Sequence, residues 1–554
     1  MVLQKGEAAT AGAGTAREHM AQRALLLALF ALCLARGLWY VHGLSVPPDD
    51  DMIRDLGFIQ GLLDGNAFGD PTNAGAWRWY PPLAHALAAA AVRLSGAELM
   101  PAWIQAGPWL GLLTPLAFFA MNARLIGRWG AVAATAVLVL FNGAVLPSDA
   151  TIGYTPLALT PSLAWPVFFL GVLLIQSRAG SARFLDAVLI GSWLGLAFLI
   201  HTVPALLLSV ITAAAAMAMR GVTPRTIGWL AAVALTELAW GALFLAPLAV
   251  DYRLHIANTV PGAWSHLLLL IPIRKWFIAV NLPGAAAAAT ILALRGRYGQ
   301  LPRLSAAILL AWILVCLGFL ARHYACGYAG AQGGACGTFV IAAHHYEAYL
   351  QAAWATLIGH AVVLLVRWAR VRLPRAARTG LATLGALAVL AGCAGFLLQS
   401  WDLEKRREAL ARPEAVLDAK AYRWLLQNTT PQDLFVTPLP PPEAVLFAIG
   451  PATGAVMAAG RHLVAAPELH SNPYLDWSPR EAHRLAYLQG FENGGPQLCA
   501  FAAEARPGTA YFLLPLGGRP AAAALEEVTR TGQHVLYRVR PGMCAGNPIA
   551  QHPS

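Results

Sequence analysis

The sequence predicts a polytopic α-helical membrane protein with about eleven transmembrane helices, followed by an extracytoplasmic α/β domain. Of the 554 residues, 58% are hydrophobic and 12% are charged, whereas soluble domains contain about 25% charged residues. Apolar runs long enough to cross about 30 Å of hydrocarbon recur up to residue 399 and then stop. Beyond residue 400, strand-like and helical segments alternate, which favours an α/β domain.

The membrane part is predicted to span residues 24–400, after a cytoplasmic tail of residues 1–23. The first apolar run is too long for a signal-peptide core and has no small-residue cleavage site after it, so we expect it to remain as an anchor. Run 81–94 would reach only about 21 Å as a helix, and we interpret it as a surface helix. The predicted spans are 24–42, 101–122, 129–147, 157–176, 184–200, 203–219, 226–250, 277–294, 304–321, 346–366 and 379–399.

Arginine-rich loops set the predicted topology. If 81–94 does not cross, the basic loops near 124–128, 178–183, 220–225, 295–303 and 367–378 all lie on the side of the basic N-terminal tail, as the positive-inside rule requires. The first outer loop, 43–100, and the tail, 401–554, then lie outside the cytoplasm. The net charge of +11 is thus explained by membrane orientation and does not indicate a nucleic-acid partner.

The tail has a mixed pattern. Strands are predicted at 433–438, 462–466, 510–514 and 534–539, and helices at 413–427, 479–490 and 519–531. The Pro-rich run 438–443 is interpreted as a loop.

Seven cysteines fall into two groups. Cys33, Cys316 and Cys393 lie in apolar runs, where cysteine acts as a small buried hydrophobe. The other four lie in regions predicted to face an oxidising compartment. We therefore expect two disulfides, Cys326–Cys336 and Cys499–Cys544.

The stretch that carries the strongest functional signal is 47–65, PPDDDMIRDLGFIQGLLDG, directly after the first span. Asp49, Asp50 and Asp51 precede apolar residues at helical spacing, which predicts an amphipathic surface helix. One acid would suffice to cap that helix. Three concentrated carboxylates at the membrane surface instead favour a catalytic or metal-binding role for at least one of them. Capping alone is the alternative.

Aromatic and cationic residues are concentrated on the same predicted outer face. In WRWYPPLAH, residues 77–85, Trp79, Tyr80 and His85 are candidates for sugar binding, and an interfacial aromatic belt explains the rings equally well. Arg274 and Lys275 break the positive-inside pattern at the outer end of a span. A bound phosphate would explain them, as would snorkelling side chains.

Three histidines and one further arginine complete the candidates. His344 and His345 are expected to hydrogen-bond phosphate or sugar; a zinc site is not favoured, because adjacent helical residues diverge and no spaced third ligand follows. His201 is interpreted as a structural histidine at a membrane boundary. Arg461, in the tail, is a candidate substrate-facing residue. The sequence contains no nucleophile elbow, phosphate-binding Gly-rich loop or CxxC pair, so ATP-driven transport has no support.

Acids after the first span, a surface helix, a YPPL segment, many spans and an extracytoplasmic α/β domain together resemble the GT-C glycosyltransferases, membrane enzymes that use polyprenyl-phosphate sugars. LGLAFLIHTVPALLL, 194–208, also looks like a segment of that family. Within it, YPPLAHALAAAAVRLSG and the HHY at 344–346 look like the arabinofuranosyltransferase branch.

The resemblance implies an inverting glycosyltransferase in the cytoplasmic (inner) membrane, with its active site facing outwards. It would move a sugar from a polyprenyl-phosphate donor to a glycan, lipid or protein acceptor. In the family, a first-loop Asp acts as general base or helps to hold a divalent metal (Mg²⁺ or Mn²⁺), which falls here on Asp49, Asp50 or Asp51. Arg274 and Lys275 could neutralise the departing phosphate. The alternatives are a flippase of lipid-linked sugars, which should place charges along a path through its helices, and a non-catalytic envelope scaffold.

Overall fold

The computed structural model describes residues 2–141, 152–181, 183–258, 273–331, 343–439, 449–518, 520 and 524–540. Up to residue 397 the elements are helical. They are α1 (Val2–Val41), α2 (Asp50–Leu63), α3 (Leu83–Ser95), α4 (Leu99–Leu125), α5 (Arg128–Leu140), α6 (Thr160–Arg178), α7 (Phe184–Ile200), α8 (Thr202–Arg220), α9 (Pro224–Val250), α10 (Ile273–Tyr298), α11 (Arg303–Ala331), α12 (Ala343–Arg372) and α13 (Arg375–Leu397).

Among the described residues, eight helices are long and apolar enough to cross a membrane. They include the predicted spans in α1, α4, α6, α8, α9, α11, α12 and α13. The other three predicted spans fall on α5, α7 and α10. The first two are shorter apolar helices of 13 and 17 residues, and the predicted run in α5 extends beyond the described residues. The integral membrane class is supported, and the number eleven stays a prediction.

The run 81–94 forms the separate helix α3, which lies against α2 and α7. It ends at Gly96, whose φ of 66° is the left-handed conformation that glycine adopts without strain. The Gly96 N–H donates to the Val92 carbonyl. A helix of 13 residues is about 20 Å long, in keeping with the predicted short surface helix.

Helix α2 is amphipathic, as its sequence predicts. Met52, Ile53, Leu56 and Ile59 are buried. Its Gly57 contacts the C-terminal region directly: a Cβ there would lie 2.1 Å from the Met457 carbonyl oxygen. Glycine is therefore required for this close approach between the first outer loop and the tail.

The tail contains a five-stranded mixed sheet with several helices. Its strand order is β2-β1-β3-β5-β4, with β1 parallel to β2 and β3, and with β5 antiparallel to β3 and β4. The strands are β1 (Leu434–Val436), β2 (His462–Leu463), β3 (Ala510–Pro515), β4 (Leu525–Arg530) and β5 (His534–Val539). The helices are α14 (Ser400–Ala411), α15 (Pro413–Val416), α16 (Ala419–Asn428), α17 (Pro451–Ala458), α18 (Trp477–Asn493) and α19 (Pro496–Glu504).

The four predicted strands all overlap strands of this sheet. The helix predicted at 519–531 is wrong, because β4 occupies 525–530. Local propensity in LEEVTR favours a helix, but pairing with β5 overrides it. Leu525 is buried, and the Glu526 carboxylate accepts a hydrogen bond from Arg538 of β5 at 2.8 Å. Charged residues along β4 also suit an edge strand.

Helix α14, directly after the last predicted span, packs on the C-terminal end of α1. Arg36 donates to Asp402 at 2.5 Å and to Gln399 at 3.0 Å, and the Arg36 and Asp402 side chains are 3% and 1% exposed. Arg406 donates to the Tyr40 carbonyl at 2.9 Å. The C-terminal end of the first predicted span is thus joined to the segment that follows the last one.

Candidate functional site

The N-terminus of α2 assigns a structural task to one of the three acids. Asp49 is the N-cap residue, and its carboxylate accepts the Asp51 backbone N–H at 3.0 Å. The same carboxylate contacts the ammonium of Lys405 in α14. Asp49 therefore supplies the cap that the sequence requires, which leaves Asp50 and Asp51 for another role.

Asp50 is half-buried and faces the tail. The backbone N–H of Ile449 donates to its carboxylate, and Asp49 lies beside it. Burial, with the Asp49 charge, raises the pKa of Asp50 to about 8 although Lys405 and the Ile449 N–H act against it. A carboxylate with a pKa near neutrality is both a proton acceptor and a stronger base than an ordinary Asp.

Asp51 forms an ion pair with Arg54. Its carboxylate accepts a hydrogen bond from Arg54 at 2.6 Å, one helical turn on, and the side chain is 37% exposed. The Arg54 guanidinium lies over the Tyr80 ring at 4.6 Å from its centroid. Arg54 also donates to Asp55 at 3.1 Å. Through Arg54, α2 is thus tied to the 77–85 segment.

Asp55, which was not among the predicted site residues, lies at the centre of a buried polar network. Its carboxylate is 3.3 Å from His85 Nε2 and accepts hydrogen bonds from the Thr160 backbone N–H at 3.1 Å and the Thr160 hydroxyl at 2.9 Å. Burial alone would raise the pKa of Asp55, but Arg54, His85 and Thr160 outweigh it and hold the pKa well below its usual range. Asp55 therefore remains ionised and joins α2, α3 and the start of α6.

The predicted aromatic residues of the first outer loop pack around Phe58 of α2. His85 stacks on it at 5.1 Å, Tyr80 lies at 5.9 Å and Trp79 at 6.3 Å, measured between ring centroids. Burial lowers the pKa of His85, against the opposing effect of Asp55. Trp79, Tyr80 and His85 therefore lie together, next to the acids.

A row of histidines continues from this cluster. The Tyr80 and His201 rings lie 6.1 Å apart, the His201 and His345 rings 4.8 Å, and the His345 and His344 rings 4.1 Å. His201 also caps α8, because its Nδ1 accepts the Val203 N–H at 3.2 Å. Burial lowers the pKa of His201 to about 4, so the ring is neutral at pH 7 with its proton on Nε2. The structural role expected of His201 is thus combined with a place in the cluster.

Some of the predicted site residues are not seen to join the cluster around Asp55 and Tyr80. Arg461 pairs with Asp64 at 2.6 Å and donates to Thr429 at 2.9 Å. Asp64 follows the last residue of α2, about 20 Å along the helix from Asp51 at 1.5 Å per residue. Arg461 therefore links the far end of α2 to the tail. The side chains of Arg274 and Lys275, at the start of α10, lie outside the described part of the chain.

The cysteines agree with the predicted grouping as far as they are described. Cys326 and Cys499 are each disulfide-bonded, while Cys33, Cys316 and Cys393 are free. Cys336 and Cys544 lie outside the described residues, so the two pairings stay predictions.

The described residues do not form a metal site. Within the described ranges, no group of three His, Cys, Asp or Glu residues could hold a metal ion. The carboxylates of Asp49 and Asp51 each face a cation, which disfavours Mg²⁺ or Mn²⁺ between them.

An apolar groove among the apolar helices lies next to residues of the polar cluster. It has a volume of about 430 Å³ and lies among α3, α4, α6 and the end of α7. Ala84 and Ile200, which line it, are the chain neighbours of His85 and His201. The remaining lining residues are Leu87, Leu113, Leu116, Ala117, Ala120, Leu163, Pro166, Val167 and Leu170.

Comparison with known proteins identifies the fold. No protein-family model and no curated protein matches the chain. The structure of ArnT from Cupriavidus metallidurans bound to undecaprenyl phosphate is similar at a TM-score of 0.53 and 14% identity, over 96% of this chain and 99% of that one. Its apo state gives a TM-score of 0.54 at 15% identity, over 94% and 98% of the two chains.

The mycobacterial arabinofuranosyltransferase AftD matches 92% of this chain at a TM-score of 0.50 and 15% identity, although the match spans only 40% of AftD. ArnT and AftD are GT-C glycosyltransferases. The predicted resemblance is therefore confirmed at the level of fold: this chain has the GT-C fold.

Proposed function

We propose that the protein is an inverting glycosyltransferase that moves a sugar from a polyprenyl-phosphate donor to an acceptor on the outer face of the cytoplasmic membrane. The acceptor is a glycan, a lipid or a protein. One observation carries the proposal: an apolar groove between helices of the membrane part lies next to a buried cluster of acids, aromatic rings and histidines.

The two parts of this arrangement suit the two parts of such a donor. An isoprenoid chain would bury apolar surface along the groove, at about 25 cal/mol per Å². The sugar phosphate would then lie among Tyr80, His85, His201 and His345. ArnT, which shares the fold, has been seen with undecaprenyl phosphate bound, in keeping with a donor of this class.

Asp50 is the general base in this proposal. Asp49 caps α2 and faces Lys405, and Asp51 is paired with Arg54. Among the described residues Asp50 takes part in no ion pair, and its pKa of about 8 is matched to proton transfer near neutral pH. It would take the proton of the acceptor hydroxyl as that oxygen attacks the anomeric carbon.

The bond from that carbon to the phosphate oxygen breaks with its electron pair on the departing polyprenyl phosphate. A single displacement inverts the carbon. The His201 Nε2–H can donate a hydrogen bond to the leaving phosphate, and Arg274 and Lys275, at the start of α10, are proposed to neutralise it. No step requires a metal.

A flippase of lipid-linked sugars is the competing function. Such a transporter should carry charges along a path through its helices. Within the described spans, the Glu237 carboxylate accepts hydrogen bonds from Ser209 at 3.0 and 3.1 Å, and Arg36 is paired with Asp402. Glu237 and Arg36 are thus each bound to a partner within the protein, which favours the transferase.

The test is sugar transfer by purified protein from a panel of synthetic polyprenyl-phosphate sugars that includes arabinofuranose, because AftD is an arabinofuranosyltransferase. Asp50→Asn keeps the shape of the side chain but removes proton acceptance, and should lower turnover by about 10²–10⁴-fold. Asp49→Asn is the matched control: Asn caps a helix as well as Asp does, so this variant loses only the charge that faces Lys405 and should keep most of the turnover. Normal turnover in folded Asp50→Asn would refute Asp50 as the base, and normal turnover in all three Asn variants would favour the flippase.

A further inference from the structure

A second cavity lies away from the acid cluster, where the first outer loop meets the tail. Its volume is about 480 Å³. One wall is the loop at Ala74 and Gly75, a second is the sheet at β1 and β2, and the remainder is formed by α18, α19 and the segment after α19. Unlike the groove, this cavity is lined by charged side chains: Arg480, His483, Glu504 and Arg506.

The charges of this cavity are unbalanced. Its carboxylate, Glu504, is already engaged, since it accepts the Tyr487 hydroxyl and lies 3.7 Å from His483 Nδ1. Among the described residues, Arg480 donates one long hydrogen bond, of 3.5 Å, to the Ala74 carbonyl. In the described part of the chain neither Arg480 nor Arg506 takes part in an ion pair. Two guanidinium groups therefore line one concave surface without a carboxylate of their own, an arrangement that suits a bound anion.

An aromatic surface lies near the cavity. The Tyr252 and Tyr474 rings stack at 5.4 Å with an interplanar angle of 5°. The Tyr252 hydroxyl accepts the Trp77 backbone N–H at 2.8 Å, and the Trp77 side chain is 38% exposed. Burial raises the pKa of Tyr252, and Arg480 is close enough to act against that rise. Rings of this kind are surfaces on which sugar rings stack.

The short segment from Gly75 to Tyr80 limits the distance between this cavity and the acid cluster. Gly75 lines the cavity, and Tyr80 lies in the acid cluster. Five residues span at most about 18 Å, so a ligand of a few sugar units that starts in the cavity would reach the acids. Trp77 lies between Gly75 and Tyr80 in the sequence.

On the basis of the proposed function, we infer that this cavity binds an anionic sugar, carrying a carboxylate or a phosphate group, of an oligosaccharide acceptor. Arg480 and Arg506 bind the anionic group. The chain then follows Trp77 and the tyrosine pair, and its terminal hydroxyl reaches Asp50. The acceptor in this inference is an acidic glycan.

Direct binding to the purified full-length protein, measured by saturation-transfer NMR without any donor, tests the inference. The probes are glucuronic acid, glucose 6-phosphate and glucose. At least one acidic probe should bind saturably and glucose should bind at least about tenfold more weakly, because it lacks the charged contacts. The acidic probe that binds identifies the anionic group. Added salt should weaken that binding.

Arg506→Gln and Arg480→Gln should each weaken binding of the acidic probe by about tenfold or more. Arg530→Gln is the matched control, because Arg530 is an exposed arginine on the edge strand β4 that pairs with Glu527; it should bind as the unaltered protein does. Equal binding of glucose and the acids, no binding of either acid, or full binding in both Arg variants would overturn the inference. Since the measurement involves no transfer, its failure is distinguishable from failure of the proposed reaction.

Discussion

The ammonium group of Lys405 contacts the carboxylate of Asp49, 356 residues earlier in the chain. The Lys405 and Asp49 side chains are 24% and 5% exposed. This ion pair fixes α14 on the N-terminus of α2. It also places a positive charge close to Asp50, where it lowers the pKa that burial raises.

The first prediction concerns this charge. If ionised Asp50 is the base, kcat/KM should rise about tenfold per pH unit and level off above about pH 8. Lys405→Met removes a cation that favours the ionised form, so the rise should move to higher pH. A pH–rate profile checks this, with Lys420→Met, at an exposed lysine of α16, as the control. An unchanged profile in Lys405→Met would contradict the assignment of Asp50.

The second prediction concerns Asp55. Asp55→Asn keeps the size of the side chain but removes the charge that faces Arg54 and His85. Breaking a buried pair from one side costs about 3–5 kcal/mol, so thermal unfolding in detergent should move to a clearly lower temperature. Asp251→Asn, at an exposed position after α9, should leave the transition in place. Equal stability of the two variants would show that the network contributes little.

Asp55 also shows how far the sequence alone could reach. The amphipathic helix, the acid cluster and the convergence of Trp79, Tyr80, His85, His344 and His345 were open to prediction, because they depend on local spacing and on a shared outer face. Asp55 was missed although a signal existed. It lies three residues after Met52 and four before Ile59, which places an acid on the apolar face of α2. Its partner Thr160 is 105 residues away, and no local pattern indicates that contact.

The third prediction concerns the apolar groove. Ala120 lines it and is half-buried, so Ala120→Phe should fill part of the space and raise KM for a long-chain polyprenyl donor. KM for a donor with a short isoprenoid should change less. Ala234→Phe, at an exposed position of α9, is the control. If Ala120→Phe affected both donors equally, the groove would not hold the chain.

The fourth prediction concerns the disulfides. Non-reducing peptide mapping should find Cys326 linked to Cys336 and Cys499 linked to Cys544, each worth about 2–4 kcal/mol. Cys326 and Cys499 are already seen to be bonded. A different pairing in the map would refute the assignment.

The fifth prediction concerns topology. A phosphatase fused after residue 400 should be active, because the tail is predicted to lie outside the cytoplasm. A fusion in the basic loop 295–303 should be inactive and serves as the control. An inactive fusion after residue 400 would refute the predicted topology and, with it, the proposal of an outward-facing active site.

The ion pairs Arg36–Asp402 and Lys405–Asp49 carry a further consequence, for biosynthesis. Asp49 is made early and inserted with the first helix, but Lys405 is synthesised only after the last predicted span, residues 379–399. Until then the start of α2 lacks its partner, and contacts of such long sequence separation form late. A chain truncated before residue 400 would therefore insert into the bilayer without a finished acid cluster. Assembly of the acid cluster therefore depends on synthesis of the chain as far as Lys405.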